Sequence, residues 1–255
     1  MDQLVLLFGG AFLAGLVDAV VGGGGLIQIP LLLACFPQQP IAVLFGTNKL
    51  VSMTGTASAA LTYARHVTLD RKIVVPGCIA ALIGSGLGAS VVSLLPSSAL
   101  RPLILILLVS VALYTAFRPA FGSSHTTPVI GRHVLMSAAA VGLIIGFYDG
   151  FFGPGTGSFL IFIFVRLFGM DMLHASGSAK LLNLATNIGA LVWFLTHDGV
   201  MLGLALGMAC MNVAGAQVGS RMALKKGNGF VRWVLLAVVS VLIVKLGLDL
   251  IRSWN

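Results

Sequence analysis

Two lysines and two aspartates are embedded in strongly apolar sequence, which makes them the first candidates for chemistry. Lys49 and Lys180 lie inside long apolar runs, and Asp18 and Asp149 each precede a glycine cluster by four residues. A charged side chain in such surroundings is costly unless it is paired or hydrated, so it usually marks a functional site. We predict that the lysines bind an anion. The aspartates neutralise the lysines, cap exposed amide groups or carry a proton, and the sequence does not separate these roles.

Each lysine also begins a polar stripe along its predicted helix. The stripes, at positions i, i+3 and i+7, are Lys49, Ser52 and Thr56 in one segment and Lys180, Asn183 and Asn187 in the other. A polar stripe on a membrane helix faces protein or water, and the candidate anion ligands on these stripes are Lys49, Lys180, Asn183 and Asn187. The alternative is that each lysine extends to the membrane surface near its helix start, which leaves the stripes unexplained. Asn48 is a further candidate ligand, next to Lys49. The residue next to Lys180 is Ala179, so the second segment has no polar side chain at this place.

Two glycine clusters interrupt the apolar sequence, GGGG at 22–25 and GPGTG at 153–157. Glycine and proline at this density end a helix. Non-helical backbone at membrane depth is tolerated only where it is buried in protein or lines a water-filled cavity. A short apolar run follows each cluster, and its first N–H groups and positive dipole end favour an anion. The candidate ligands here are Gly22, Gly23, Gly24, Gly25, Gly153, Gly155, Thr156, Gly157 and Ser158.

Four other glycines have a different interpretation. Gly84 and Gly88 form one pair at a spacing of four, and Gly215 and Gly219 form another. Small residues at this spacing within an unbroken apolar segment are typical of close helix packing. We therefore predict a packing role for them.

The composition indicates whether this chain folds in water or in a lipid bilayer. Of its 255 residues, 58% are hydrophobic and 9% are charged, and the mean hydropathy is +1.06. Soluble domains carry about 25% charged residues, so this chain suits a lipid bilayer. The net charge of +8 comes from basic residues clustered between apolar runs, which favours the positive-inside bias over nucleic-acid binding. The three cysteines are scattered without metal-ligand spacing, and we expect no metal site and no cofactor.

The apolar runs predict an all-α polytopic membrane protein. Predicted helices cover 3–21, 42–64, 73–95, 99–117, 133–151, 174–196, 201–222 and 231–251. Two further runs, 26–36 and 158–168, follow the glycine clusters and are shorter than the roughly 20 residues that a crossing needs. The opening sequence MDQLVLLFGG lacks the basic region of a cleaved signal peptide, so we expect it to begin the first membrane segment.

The chain contains an internal duplication. A shift of 131 positions aligns three pairs of scarce residues: Asp18 with Asp149, Lys49 with Lys180, and His66 with His197. The two glycine clusters align in the same register. We predict a single transmembrane domain, 1–255, with repeat 1 at 1–117, a basic cytoplasmic linker at 118–132 and repeat 2 at 133–255.

The distribution of basic loops predicts that the second repeat is inverted. If each glycine cluster marks a hairpin, each repeat crosses the membrane three further times, and repeat 2 begins on the opposite face. The basic loops 65–72, 118–132 and 221–232 then share one face, which is cytoplasmic. Both termini are then periplasmic. The alternative, in which cluster and short run form one broken span, divides these charges between the two faces.

Several of these stretches resemble a known family. GLVDAVVGGGGLIQIP, GTNKL, GFYDGFFGPGTGSF and the AKLLN…TN stretch are similar to the sulfite exporter TauE/SafE family, especially its YfcA-like branch. The resemblance covers essentially the whole chain. It implies a bacterial inner-membrane protein of two repeats, associated with export of sulfite, sulfoacetate and related organosulfur anions. The implied site falls on Gly22–Gly25, Asn48, Lys49, Gly153–Gly157 and Lys180.

These observations favour a secondary transporter that moves a small anion outward by alternating exposure of a midplane site. The chain has no GxxxxGK[ST] motif, so we expect no nucleotide partner. The expected partners are the anion and the bilayer, with a homodimer as the candidate assembly. An anion channel is the alternative function, since broken helices also build selectivity filters. An intramembrane enzyme is the third, disfavoured because no histidine lies at a depth that matches a serine.

Overall fold

The computed structural model describes residues 2–100, Leu103, Ile106 and residues 133–254. This part of the chain is α-helical throughout, apart from short connections, as predicted. The helices are α1 (Asp2–Val21), α2 (Gly25–Cys35), α3 (Ile41–Ala64), α4 (Arg71–Leu94), α5 (Val134–Phe151), α6 (Thr156–Phe168), α7 (Met172–His197) and α8 (Leu202–Trp254). Most of the predicted helix 99–117 and the whole predicted linker 118–132 lie outside the described residues.

Polar caps and glycines set several helix ends. Asp70 precedes α4, and its carboxylate accepts the N–H of Lys72 at 2.9 Å. Asp171 caps α7 in the same way. Such caps satisfy N–H groups that the first helical turn leaves free. Gly227, with a φ of 75°, interrupts α8 where the sequence predicts the gap between its last two helices.

Five helices among the described residues are long and apolar enough to cross a membrane. They are Asp2–Val21, Arg71–Leu94, Val134–Phe151, Met172–His197 and Leu202–Gly227. Helix α3 has 24 residues but is less apolar, because it carries the polar stripe of Lys49. Helix α4 has an exposed apolar face. This face contains four residues at a spacing of four: Val75, Ile79, Ile83 and Leu87. The chain is a multi-pass α-helical membrane protein.

The contacts between helices define their relative directions. Three successive contacts join α4 to α5: Gly77 with Gly142, Ala81 with Gly146, and Ser85 with Gly150. Both members of each pair advance along the chain together, so α4 and α5 run parallel. Helices α1 and α8 are parallel for the same reason, through Phe12 with Gly215 and Leu16 with Gly219. Helices α3 and α7 run antiparallel, because Gly46 faces Phe194 while Gly177 faces Tyr63.

The two repeats have matching elements. The starts of α2 and α6, of α3 and α7, and of α4 and α8 are each 131 positions apart, at residues 25 and 156, 41 and 172, and 71 and 202. The contacts correspond as well, since α4 packs on α5 as α8 packs on α1. One core is shared by both repeats, with Val20 of α1, Phe164 of α6 and Leu182 of α7 in a single buried cluster.

The glycines at a spacing of four have the predicted packing role. A Cβ at Gly84 would overlap the carbonyl oxygen of Leu143, and a Cβ at Gly215 would overlap that of Phe12. Leu143 and Phe12 are themselves 131 positions apart. Absence of a side chain therefore lets the paired helices approach at backbone distance, which increases van der Waals contact where lipid offers no hydrophobic driving force.

Candidate functional site

The two glycine clusters meet inside the protein. A Cβ on Gly22 would overlap the backbone of Gly157, and a Cβ on Gly157 would overlap the backbone of Gly22. On the other side of this contact Gly25 lies against Pro154. The backbone breaks of the two repeats, which are 131 residues apart in sequence, therefore form one structure.

Left-handed backbone conformations produce both breaks. Gly22 has a φ of 77°, Gly153 of 92° and Gly155 of 83°. An L-residue adopts this region only at a cost of about 1–2 kcal/mol, whereas glycine adopts it freely. In repeat 1 the break is a hairpin, because α2 folds back along α1 and places the Leu31 side chain against Gly10.

Hydroxyl groups satisfy carbonyl oxygens that the breaks release. The Thr156 hydroxyl donates to the Gly153 carbonyl at 2.7 Å, and the Ser158 hydroxyl donates to the Val21 carbonyl at 2.7 Å. The second bond joins repeat 2 to the end of α1. Buried carbonyl groups without partners are costly, so these bonds stabilise the non-helical backbone.

Two ion pairs cross between the repeats at this point. Lys49 Nζ lies 2.6 Å from Asp149 Oδ2, and Lys180 Nζ lies 3.1 Å from Asp18 Oδ2. The Lys180 ammonium also donates to the backbone carbonyl of Asp18. Each lysine comes from an unbroken helix of one repeat, and its aspartate comes from the broken helix of the other. Of the roles that the sequence left open for the aspartates, the structure shows charge pairing.

The lysines do not extend to a membrane surface, contrary to the alternative interpretation. Lys49 is 2% exposed and Lys180 is fully buried. On the polar stripes Thr56, Asn183 and Asn187 are buried as well, and Ser52 is partly buried. The Thr56 hydroxyl donates to Asp18 Oδ2 at 3.2 Å, so it supports the second ion pair.

A small cavity of about 20 Å³ lies at the contact of the two breaks. It is lined by Asp18, Gly22, Gly25, Asn48, Lys49, Ser52, Asp149, Gly153, Thr156, Gly157, Asn183 and Asn187. A cavity needs about 10–15 Å³ to hold a water molecule, so this one accommodates a single water and excludes a sulfite or a sulfonate. An anion of that size requires the lining to move apart.

The predicted site residues divide into those that line this cavity and those that do not. Outside the lining are Gly23, Gly24, Gly155, Ser158 and Lys180. Gly24 packs against Ala14 and the Cβ of Asp18, and Lys180 lies behind the Asp18 carboxylate. The other predicted residues surround one space, although they come from both repeats.

Two buried amide side chains at the cavity each have one atom without a hydrogen-bond partner among the residues that the structure describes. These atoms are Oδ1 of Asn48 and Nδ2 of Asn187, and both side chains are at most 3% exposed. A buried amide without a hydrogen bond costs about 1–3 kcal/mol. Such a cost at a cavity is typical of a binding site, where the ligand supplies the missing bond.

Several residues that support the site were not predicted. The Tyr148 hydroxyl donates to the Pro154 carbonyl at 2.7 Å, and the Tyr63 hydroxyl donates to the Ala19 carbonyl at 3.1 Å. Asn212 of α8 donates to the Ala11 carbonyl at 3.0 Å. A signal existed for Tyr148, because it adjoins Asp149 and the chain has only 3 tyrosines.

Metal chemistry has no support in the described part of the chain. No group of three or more histidine, cysteine, aspartate or glutamate side chains there is placed to hold a metal ion. His66 and His197, which the repeat aligns, are exposed at helix ends.

Comparisons with known proteins identify the family of this chain. The family model described as sulfite exporter TauE/SafE matches residues 7–246. The chain belongs to the sulfite exporter TauE/SafE family. No solved structure matches this member of the family.

Curated relatives of this TauE/SafE protein carry transporter names. "Probable membrane transporter protein ORF9" of a Sinorhizobium species is 39% identical, with 96% of this chain and 93% of the relative covered. "Probable membrane transporter protein YfcA" of Escherichia coli K12 is 35% identical, with 96% and 90% covered. A "Probable membrane transporter protein" of Haemophilus influenzae is 31% identical, with 100% and 97% covered. The match over nearly the full length of these relatives supports a membrane transporter.

Proposed function

We propose that this protein is a secondary transporter that exports a small anion such as sulfite or an organosulfonate. The observation that carries the proposal is the pair of crossed Lys–Asp contacts where the two backbone breaks meet. Broken helices that meet at an intramembrane site are the usual substrate site of secondary transporters. The family's description as a sulfite exporter supports the anion class.

Lys49 is the principal ligand in this proposal. Its ammonium lines the cavity, and an anion oxygen that displaces the Asp149 carboxylate can accept its hydrogen bond. Asn187 supplies a free amide N–H donor from the opposite repeat. The N-terminus of α6 lies at the same space, because Thr156 and Gly157 line it, and the positive end of the helix dipole adds positive potential.

Alternating access explains how so small a cavity serves an anion. The cavity of about 20 Å³ must expand on one side before the anion enters, and it must close before the other side opens. The helix directions support two repeats of inverted topology, since the equivalent helices α3 and α7 run antiparallel in direct contact. Rocking of such repeats exposes a central site to each face in turn.

The charge distribution supports a bacterial inner-membrane location with cytoplasmic basic loops. Arg65, Arg221 and Lys225 line one groove at the end of α3, and Arg71 lies at the start of α4 beside the same end. Basic residues are concentrated on the cytoplasmic face of inner-membrane proteins. Because α1 runs parallel to α3 and α8, its first residue is then periplasmic.

Cysteine labelling in cells tests this topology. In a variant whose three native cysteines are replaced by alanine, we introduce Lys72→Cys, Lys225→Cys or His197→Cys, all at exposed positions. A membrane-impermeant maleimide added outside is expected to label only His197→Cys. Labelling of Lys72→Cys and Lys225→Cys from opposite faces would contradict the inverted arrangement.

Counterflow in proteoliposomes tests the transport function. Vesicles preloaded with unlabelled sulfite or methanesulfonate are expected to accumulate the labelled anion transiently, with saturable kinetics. A carrier with an occluded site gives this result. Unitary conductance in planar bilayers without counterflow would favour the channel alternative. Vesicles with neither activity would contradict transport of these anions.

A further inference from the structure

The cavity contains no spare positive charge for an anion. Among the residues that line it, the ionisable side chains are Asp18, Asp149 and Lys49, and Lys180 lies directly behind Asp18. The two lysines and two aspartates neutralise one another in pairs. An added monovalent anion therefore brings one uncompensated negative charge into a site that excludes bulk water.

The two ion pairs differ in whether their lysine is accessible to an anion in the cavity. Lys49 lines the cavity, and among the described residues its ammonium is hydrogen-bonded to Asp149 alone, so the anion must take the place of that carboxylate. Lys180 does not line the cavity, and Asp18 keeps both Lys180 and the Thr56 hydroxyl as donors. When the anion binds Lys49, the Asp149 carboxylate is therefore left without a partner. This carboxylate is also buried, because its side chain is 3% exposed.

No other charged group in the cavity can replace Lys49 as the partner of Asp149. The remaining side chains that line it are neutral: Asn48 and Ser52 from α3, Thr156 from α6, and Asn183 and Asn187 from α7. The nearby Tyr148 hydroxyl already donates to the Pro154 carbonyl. A buried carboxylate beside a second negative charge binds a proton rather than staying ionised.

We infer that Asp149 takes up one proton each time Lys49 binds the anion, which makes the protein a proton–anion cotransporter. The Lys49–Asp149 hydrogen bond breaks, an O–H bond forms on Asp149 with a proton delivered by hydronium from the aqueous phase, which is left as water, and the anion accepts from Lys49 Nζ. No oxidation or reduction is involved. The site is neutral before and after the step. This inference rests on the proposed transport function and identifies its coupling ion.

Cotransport at this stoichiometry makes the flux of a monovalent anion electroneutral. Flux then follows the pH difference and the anion gradient, while the membrane potential has no effect on it. Outward transport consequently runs down the concentration gradient of an anion that is produced inside the cell, and a proton leaves with it.

The test uses methanesulfonate, because this anion keeps its charge at every pH used. A proton that crosses the membrane with it is therefore carried by the protein and not by the anion. In proteoliposomes, an imposed difference of about one pH unit is expected to sustain a roughly tenfold anion gradient. A potassium diffusion potential imposed with valinomycin is expected to sustain none. Flux that follows the potential and ignores pH overturns the proton inference and leaves transport standing. Absence of flux under every condition overturns the proposed function itself.

A pair of repeat-related variants identifies the proton-binding residue. Asp149→Asn leaves Lys49 available without a titratable partner, so its methanesulfonate flux is expected to ignore the pH difference and to follow the potential. Asp18→Asn changes the equivalent position of repeat 1. Its methanesulfonate flux is expected to follow the pH difference, as in the unmodified protein. Retention of the tenfold gradient by Asp149→Asn overturns the assignment. Should Asp149→Asn fail to fold, the measurements on the unmodified protein still decide whether a proton is carried.

Discussion

Replacing Lys49 with alanine is expected to abolish anion flux and to destabilise the protein by about 3–5 kcal/mol. The loss of flux follows because Lys49 is the ammonium group that lines the cavity. The loss of stability follows because Asp149, which is 3% exposed, keeps a buried charge without a partner. Sulfite counterflow in proteoliposomes measures the first effect, and unfolding in mixed micelles measures the second.

The double variant Lys49→Ala with Asp149→Asn separates binding from folding. It removes the buried charge together with the lysine, so most of the lost stability is expected to return while flux stays at background. Counterflow at the unmodified rate in either variant would remove Lys49 from the mechanism. A double variant as unstable as the single one would show that the ion pair is not the source of the instability.

Lys180→Ala provides the comparison within the same fold. Its partner Asp18 is 14% exposed and keeps the Thr56 hydroxyl, so a smaller loss of stability is expected than for Lys49→Ala. Flux is nevertheless expected to fall. Without Lys180, the Asp18 carboxylate at the cavity loses its charge compensation, so an entering anion must either overcome its repulsion or be accompanied by a second proton.

The sequence predicts helices and breaks well because their signals are local. Glycine clusters end α1 and α5 at the expected residues, and the repeat places the start of α7 131 positions after that of α3. The break at Gly227 is also anticipated, as a gap between two predicted helices. These features depend on backbone conformation and hydropathy within one or two helical turns.

The crossed pairing could not be predicted, because it depends on how the repeats pack. Lys49 and Asp149 are 100 positions apart, and a pair within one repeat, such as Lys49 with Asp18, fits the sequence equally well. Only the contact between the two glycine breaks brings each broken helix beside the lysine of the other repeat. The hydroxyl of Ser158 shows the same limit, since its partner is a carbonyl 137 positions away.

The repeats also differ where they face the cavity, and this asymmetry gives the two ion pairs different roles. Thr56 in repeat 1 corresponds to Asn187 in repeat 2, and only Thr56 donates to an aspartate. The Asp18 pair is thereby held by an additional donor, and in the proposed mechanism it is the Asp149 pair that exchanges with the anion. In the proposed mechanism, one of the two crossed ion pairs thus keeps its charges compensated while the other supplies the anion ligand.

Gly22→Ala is expected to destabilise the protein by on the order of 3 kcal/mol and to abolish flux. The φ of 77° at Gly22 disfavours any L-residue, and the added methyl group would overlap the Gly157 backbone. Neither cost can be relieved by a side-chain rotation, because backbone atoms form both sides of the contact. Unfolding in mixed micelles and sulfite counterflow provide the two measurements.

Two further alanine variants distinguish the contact between breaks from a general cost of replacing glycine. Gly157→Ala introduces the same overlap from the other repeat without a left-handed φ, so it is expected to lose stability by a smaller amount and also to lose flux. Gly9→Ala lies on α1, the helix that ends just before Gly22, and no described atom lies within 4 Å of its added methyl group, so it is expected to retain both properties. If Gly22→Ala were as stable and active as Gly9→Ala, the two breaks would not be in contact in the working protein. Loss of flux in both Gly22→Ala and Gly157→Ala would instead show that transport requires the backbone contact between the two repeats.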